Sequence, residues 1–151
     1  MKPHRPPNQS RQHGIAAVEF ALVLPLLILL LVLPLYFSRI MWHYAAMQKA
    51  AQNGARFLAS VPLATMRDPT KVGHATQLTE DIVRAHLDEL NPGEFPPIID
   101  KHCNGLTCSG YSTPATVKVA IQMNMQDIFF PESEQMSIAL TAEATVAYLG
   151  K

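Results

Sequence analysis

The sequence predicts an α+β protein: a long N-terminal transmembrane helix that continues past the membrane into a small head with one further helix and an antiparallel sheet. Three observations carry this expectation. Residues 15–37 form an apolar run whose one charge is Glu19. Residues 77–90 repeat apolar side chains at helical spacing, and residues 117–125 and 138–148 alternate them with period two. Lys plus Arg and Asp plus Glu both total 12, so the net charge is 0 and bulk charge gives no reason to expect a nucleic-acid partner.

The chain divides into four stretches. Residues 1–14 hold Lys2, Arg5 and Arg11, several prolines and no acid. They read as a polar, disordered leader. Residues 15–37 span about 34 Å as a helix, against a bilayer core of about 30 Å. The Leu, Ile, Val and Phe side chains between Phe20 and Phe37 favour insertion by roughly 4–8 kcal/mol. A carboxylate near the helix end costs less than the roughly 2.5–3.5 kcal/mol of an acid at the centre, so the apolar contribution wins. Pro25 and Pro34 each remove a helical hydrogen bond, and bends are expected there. The basic leader favours a cytoplasmic N-terminus. An ordinary secretory signal has a shorter apolar core followed by a small-residue cleavage site, whereas Tyr36-Phe37-Ser38-Arg39 offers none. A plain signal anchor with an incidental Glu19 is the other simple reading.

Residues 38–61 continue the helix up to Pro62. Trp42 and Tyr44, with Tyr36, suit an interfacial aromatic belt. Two rows of small residues run along this stretch: Ala46, Ala50 and Gly54, and Ala51, Ala55 and Ala59. Such rows admit close approach of another helix. They equally suit an Ala-rich helix lying on its own domain, and the spacing does not separate the two.

Residues 62–151 form the head. Pro62 to His74 reads as a loop, with Asp68-Pro69 as a turn signal. Gln77 to Leu90 reads as a helix with Leu78, Ile82, Val83, Leu87 and Leu90 on its apolar side, stopped by Asn91-Pro92-Gly93. Residues 92–114 look loop-like, although Ile98-Ile99 could begin a short strand. Two strands follow, one burying Val117, Val119, Ile121, Met123 and Met125 and one burying Ile138, Leu140, Ala142, Ala144, Val146 and Tyr148. The connection between them covers residues 126–135. Two strands need a helix against their apolar side to be stable.

Cys103 and Cys108 are the only cysteines. A disulfide is the first reading if the head lies in an oxidising compartment. A metal site with the adjacent His102 is the sharper alternative, but a second ligand pair at zinc spacing is missing. Free thiols are the third possibility. The six histidines are scattered, and no zinc-protease, nucleophile-elbow or phosphate-loop pattern is present. No cofactor, metal or enzymatic activity is expected.

The stretch Arg11-Gln12-His13-Gly14-Ile15-Ala16-Ala17-Val18-Glu19-Phe20-Ala21-Leu22-Val23-Leu24-Pro25-Leu26-Leu27 resembles the start of the TadE-like proteins of the tight-adherence, Flp-type pilus systems. Ala50-Ala51-Gln52-Asn53-Gly54-Ala55-Arg56-Phe57-Leu58-Ala59 resembles that family's Ala/Arg-rich helix end. The resemblance covers about residues 11–60. It implies a pilin-like fold and a minor pilin or pseudopilin, cut by a prepilin peptidase and needed for pilus assembly. Gly14 then matches the residue before the cut, Ile15 the new N-terminus, and Glu19 the acid that pairs with a neighbouring subunit's amine. A glycine suits a cut site because it lets a protease approach the following bond closely. The implied partners are the peptidase, other pilin-like subunits and the inner-membrane assembly platform. The implied location is the bacterial inner membrane, single-pass, with the N-terminus cytoplasmic and the head periplasmic, or the pilus into which the protein is incorporated. Major Flp pilins are much shorter, so the extra head argues for a minor component. An uncleaved bitopic protein whose periplasmic domain binds a ligand or envelope partner is the alternative, and an anchored enzyme is third.

Overall fold

The computed structural model describes residues 13–90, 95–125 and 138–150. The leader up to residue 12, the stop signal at Asn91-Pro92-Gly93 and the connection over residues 126–135 therefore lie outside the described residues. The chain divides into two compact units, Met1–Arg39 and Ile40–Lys151. Helix α1, His13–Ser60, contributes to both and contains Pro25 and Pro34. Each proline lacks an N–H, so the carbonyls of Ala21 and Leu30 lose their usual helical donors.

In the second unit, α1 is followed by a single turn α2 (Leu63–Met66) and by α3 (Val72–Leu87), which tightens into a 3-10 turn at Asp88–Leu90. A four-stranded antiparallel sheet completes it: β1 (Ile98–Cys103), β2 (Leu106–Thr107), β3 (Thr116–Met125) and β4 (Ile138–Ala147), in the order β2-β1-β3-β4. The α+β expectation holds, and among the described residues the sheet has two more strands than the periodicity announced.

β3 and β4 pair along their full length, with Val117 opposite Val146, Ile121 opposite Ala142 and Met125 opposite Ile138. Every second residue of β3 is buried from Val117 to Met125, as the alternation requires. β4 follows the same rule through Leu140, Ala142 and Ala144.

Three sequence expectations need correction. The segment expected to be a loop over residues 92–114 contains β1 and β2. In β1 the core side carries Ile99, Lys101 and Cys103, and the lysine hides the period. Lys101 is tolerated there because Glu80 of α3 meets it in an ion pair, and Glu80 also accepts from Arg84 Nη2 at 2.8 Å. Second, α3 begins five residues before Gln77. A turn held by Asp68 starts it: the carboxylate accepts from Thr70 N (2.9 Å) and Thr70 Oγ1 (2.6 Å), and its backbone carbonyl accepts from Val72 N (2.9 Å). Third, the buried stripe of α3 is Val72, Ala75, Thr79, Val83 and Leu87. Leu78 is exposed and Ile82 is half-buried. Thr79 enters the core because its hydroxyl donates to Ala75 O at 2.8 Å, which leaves only its methyl to pack.

The small rows of α1 lie on the protein's own core. Ala50, Ala51, Ala55 and Ala59 are all buried. A Cβ added at Gly54 would come within 2.6 Å of Val83 Cγ2, 3.4 Å of Thr79 Cγ2 and 3.6 Å of Val119 Cγ1. Gly54 is thus the point where α1 meets both α3 and β3 at backbone range. Met47, Leu87, Ile121 and Met123 belong to the same buried cluster as Val83 and Val119. A second cluster, around Leu58, Met66, Val72 and Val117, includes both cysteines.

The far end of α1 is held by the segment after β4. Leu149 N donates to Ala59 O at 3.1 Å, and Tyr148 Oη donates to Val61 O. These bonds satisfy carbonyls that the helix end would otherwise leave without donors. Partial burial pushes the Tyr148 phenol above its ordinary value, which favours the protonated donor.

Two outcomes are expected. Gly54→Ala gains about 1 kcal/mol of helix propensity but forces a methyl against the β-branched Val83, an overpacking cost of roughly 1–3 kcal/mol. Net destabilisation of about 1 kcal/mol should appear as a lower urea midpoint in the detergent-solubilised chain. The second concerns pH. Hydrogen bonds from Lys101, and then from Arg84, hold the Glu80 carboxyl below its ordinary 4.5. The folded protein therefore binds that proton more weakly than the unfolded chain. Its stabilisation is complete above pH 4.5 and is lost as pH falls below that value. The loss of unfolding free energy between pH 7 and pH 3 should be larger by roughly 1 kcal/mol for the wild type than for Glu80→Gln, read from urea unfolding curves at the two pH values.

Candidate functional site

Residues 14–31 of α1 are exposed along the whole stretch, and the helix is long and apolar enough to cross a membrane. Ile15 is 69% exposed and Leu22 77%. Water does not tolerate a continuous apolar surface of this length, so its proper surroundings are lipid or other apolar helices.

Gly14, Ile15, Val18, Glu19, Leu22 and Val23 line one shallow groove on this helix. The spacing explains it. Ile15 and Glu19 stand four residues apart and so lie one above the other, and Val18 and Leu22 continue the same side. Nothing lies within 4 Å of where a Gly14 Cβ would be. The Glu19 side chain is exposed, and among the described residues it has neither an ion-pair nor a hydrogen-bond partner. Side chains on a helix lean toward its N-terminus, which directs the Glu19 carboxylate toward the turn that holds Ile15. Gly14 and Ile15 belong to the first turn, whose backbone N–H groups have no intrahelical acceptors.

The second unit holds the cysteine pair. Cys103 and Cys108 form a disulfide with Cα atoms 4.9 Å apart. It closes a hairpin whose two-residue turn places Asn104 at φ 54° and Gly105 at φ 82°. Positive φ at both positions is what Asn-Gly supplies most readily, and it sets the register Cys103 opposite Leu106. Asn104 then fixes the hairpin to the start of β3. Its Oδ1 accepts from Ala115 N (2.7 Å) and Thr116 N (3.1 Å), and its Nδ2 donates to Thr113 O (3.2 Å). With both sulfurs bonded to each other, the alternative in which they and His102 hold a metal loses its thiolates. Among the described residues no three His, Cys, Asp or Glu side chains cluster as ligands would.

Sequence reasoning did not connect two other elements. Trp42, Ala45, Ala46 and Lys49 form one side of α1, and His86, Glu89 and Leu90 face them across a cleft of about 400 Å³. The i, i+3, i+4, i+7 spacing of the first four was visible, but nothing in the chain announced that the end of α3 would lie opposite.

Removing the disulfide should cost about 2 kcal/mol, the loop-closure entropy of so small a ring. The Asn104 bonds keep the hairpin in place, so Cys103→Ala/Cys108→Ala should stay folded with a lower urea midpoint and an unchanged circular-dichroism spectrum.

Comparison with curated proteins and with solved structures returns no match to this chain. Its similarity to known families lies in the stretch that holds Gly14, Ile15, Glu19 and most of α1: residues 14–56 match the family model of the TadE-like proteins.

Proposed function

We propose that this protein is a minor pilin-like subunit of a Flp-type, tight-adherence pilus, processed between Gly14 and Ile15. One observation carries the reading: an uncommitted carboxylate, Glu19, stands one helical turn from Ile15 on the exposed apolar stretch of a helix whose residues 14–56 match the family model of the TadE-like proteins.

Lys2, Arg5 and Arg11 keep the leader on the cytoplasmic side while residues 15–37 insert. Gly14, in the first turn of α1, carries no side chain to keep a membrane peptidase from the bond to Ile15. The cut leaves an ammonium on Ile15. In lipid an isolated ammonium and an isolated carboxylate are each costly, and together they neutralise one another. Before assembly, Glu19 can reach back one turn to its own amine. In a helix bundle the same carboxylate meets the amine of an adjacent subunit, and that exchange sets the axial register between neighbours. Formation of the Cys103–Cys108 disulfide supports placing the head on the oxidising, extracytoplasmic side. The head marks the chain as a minor component that acts with other pilin-like subunits and an inner-membrane assembly platform.

The competing reading is a bitopic protein that keeps its leader and presents the head to an envelope partner. Intact mass of the membrane-extracted protein distinguishes the two: the pilin reading expects loss of residues 1–14, and the anchored reading expects the initiator methionine side of the chain to persist. A second expectation follows for Glu19→Ala. Membrane insertion should be undiminished, because the substitution removes an apolar-phase penalty. Recovery of the protein in sheared filaments should fall by more than about tenfold, since a buried ammonium would lose its partner. Wild-type recovery would refute the pairing.

A further inference from the structure

We propose that the cleft between α1 and the end of α3 is a binding site for a zwitterionic amino-phosphate ester, the chemistry of a phosphoethanolamine headgroup. This inference rests on the second unit alone and does not depend on leader processing.

The cleft holds opposite charges that do not satisfy each other. Lys49 comes from α1 and Glu89 from the 3-10 turn after α3. Among the described residues neither has an ion-pair or hydrogen-bond partner, although both line the same cavity. A cation and an anion held apart across a cleft match a short molecule bearing the reverse polarity. Glu89 also sits where the carbonyl ends of α3 add negative potential, which favours an ammonium at that wall.

The remaining lining fits such a ligand. Ala45 and Ala46 leave room between the larger Trp42 and Lys49 on the same side of α1. Trp42 is 58% exposed, so its indole is open to a cation as well as to apolar matter. Leu90 supplies an apolar surface for a two-carbon linker. His86 is fixed rather than loose: its Nδ1 lies 2.8 Å from Ile82 O and its Nε2 3.3 Å from Asn53 Nδ2. A carbonyl only accepts and an amide nitrogen only donates, so Nδ1 carries the hydrogen and Nε2 accepts. The ring therefore forms a rigid wall between α1 and α3. In sequence, Trp42 lies five residues beyond Phe37, the end of the apolar run, where interfacial aromatic residues are found. Lipid is thus the natural source of the ligand, and a free amino-phosphate is the other.

Trp42 is the only tryptophan, which makes its emission a direct reporter. The full chain in a detergent without amine or phosphate should be titrated with glycerophosphoethanolamine. A saturable change in emission is expected. Glycerophosphate and ethanolamine, each carrying half of the zwitterion, should act only at much higher concentration. Lys49→Gln and Glu89→Gln, both exposed positions, should each raise the half-saturation concentration by about fivefold, the factor for roughly 1 kcal/mol of an exposed charge contact. In phosphatidylethanolamine nanodiscs the change should already be present and further addition ineffective. In phosphatidylglycerol discs the soluble compound should still titrate. Equal titration in both kinds of disc would uphold the site and assign it to a free amino-phosphate. An unsaturable response, equal action of either half, or unaltered titration in both variants would overturn the proposal.

Discussion

Apolar surface must leave water, and α1 meets that requirement in two ways along one continuous helix. Over residues 14–31 it carries bulky Leu, Ile, Val and Phe side chains that remain exposed in the protein alone. Over residues 47–59 its buried side is mainly alanine and glycine, enclosed by α3 and the sheet. The first stretch demands an apolar surrounding from outside the chain. The second makes a core with very little side-chain volume, so packing there depends on backbone proximity rather than on large residues. At Gly54 there is no room for a Cβ, and the branched residues Val83 and Val119 supply the bulk that α1 omits.

The head is fastened at its margins as well as its centre. The disulfide and Asn104 close the β1–β2 hairpin and bind it to the start of β3. Tyr148 and Leu149 bind the end of β4 to the end of α1. Glu80 bridges α3 to β1 through Lys101. These polar ties contribute individually modest free energy. Their main effect is to set where the edges of the sheet sit against α1 and α3.

Two kinds of chemistry are therefore separated by unit. The N-terminal unit offers a single carboxylate on an apolar helix, a group whose cost in lipid is removed by a positive partner. The second unit offers a small cleft in which a positive and a negative side chain remain uncommitted to each other. The former carries the proposed subunit pairing, and the latter the proposed recognition of a small dipolar ligand.

Much of this was legible in the linear sequence, for a definite reason. The apolar segment, Glu19, the helical reach to Ser60 and the faces of β3 and β4 all follow from local periodicity, which reports which side of an element is apolar. Periodicity failed where polar residues are satisfied by distant partners. Lys101 sits on the core side of β1 because of Glu80, and Thr79 is buried because its hydroxyl bonds back to Ala75. It also failed to decide the use of the small rows, since alanine at every fourth position suits a partner helix and an internal sheet equally. The sequence by itself determined a membrane-length helix carrying one acid and a half-buried sheet. Only the tertiary structure decided that the Ala/Gly rows pack inward and that Lys49 and Glu89 share a cleft, because both depend on contacts between residues far apart in the chain.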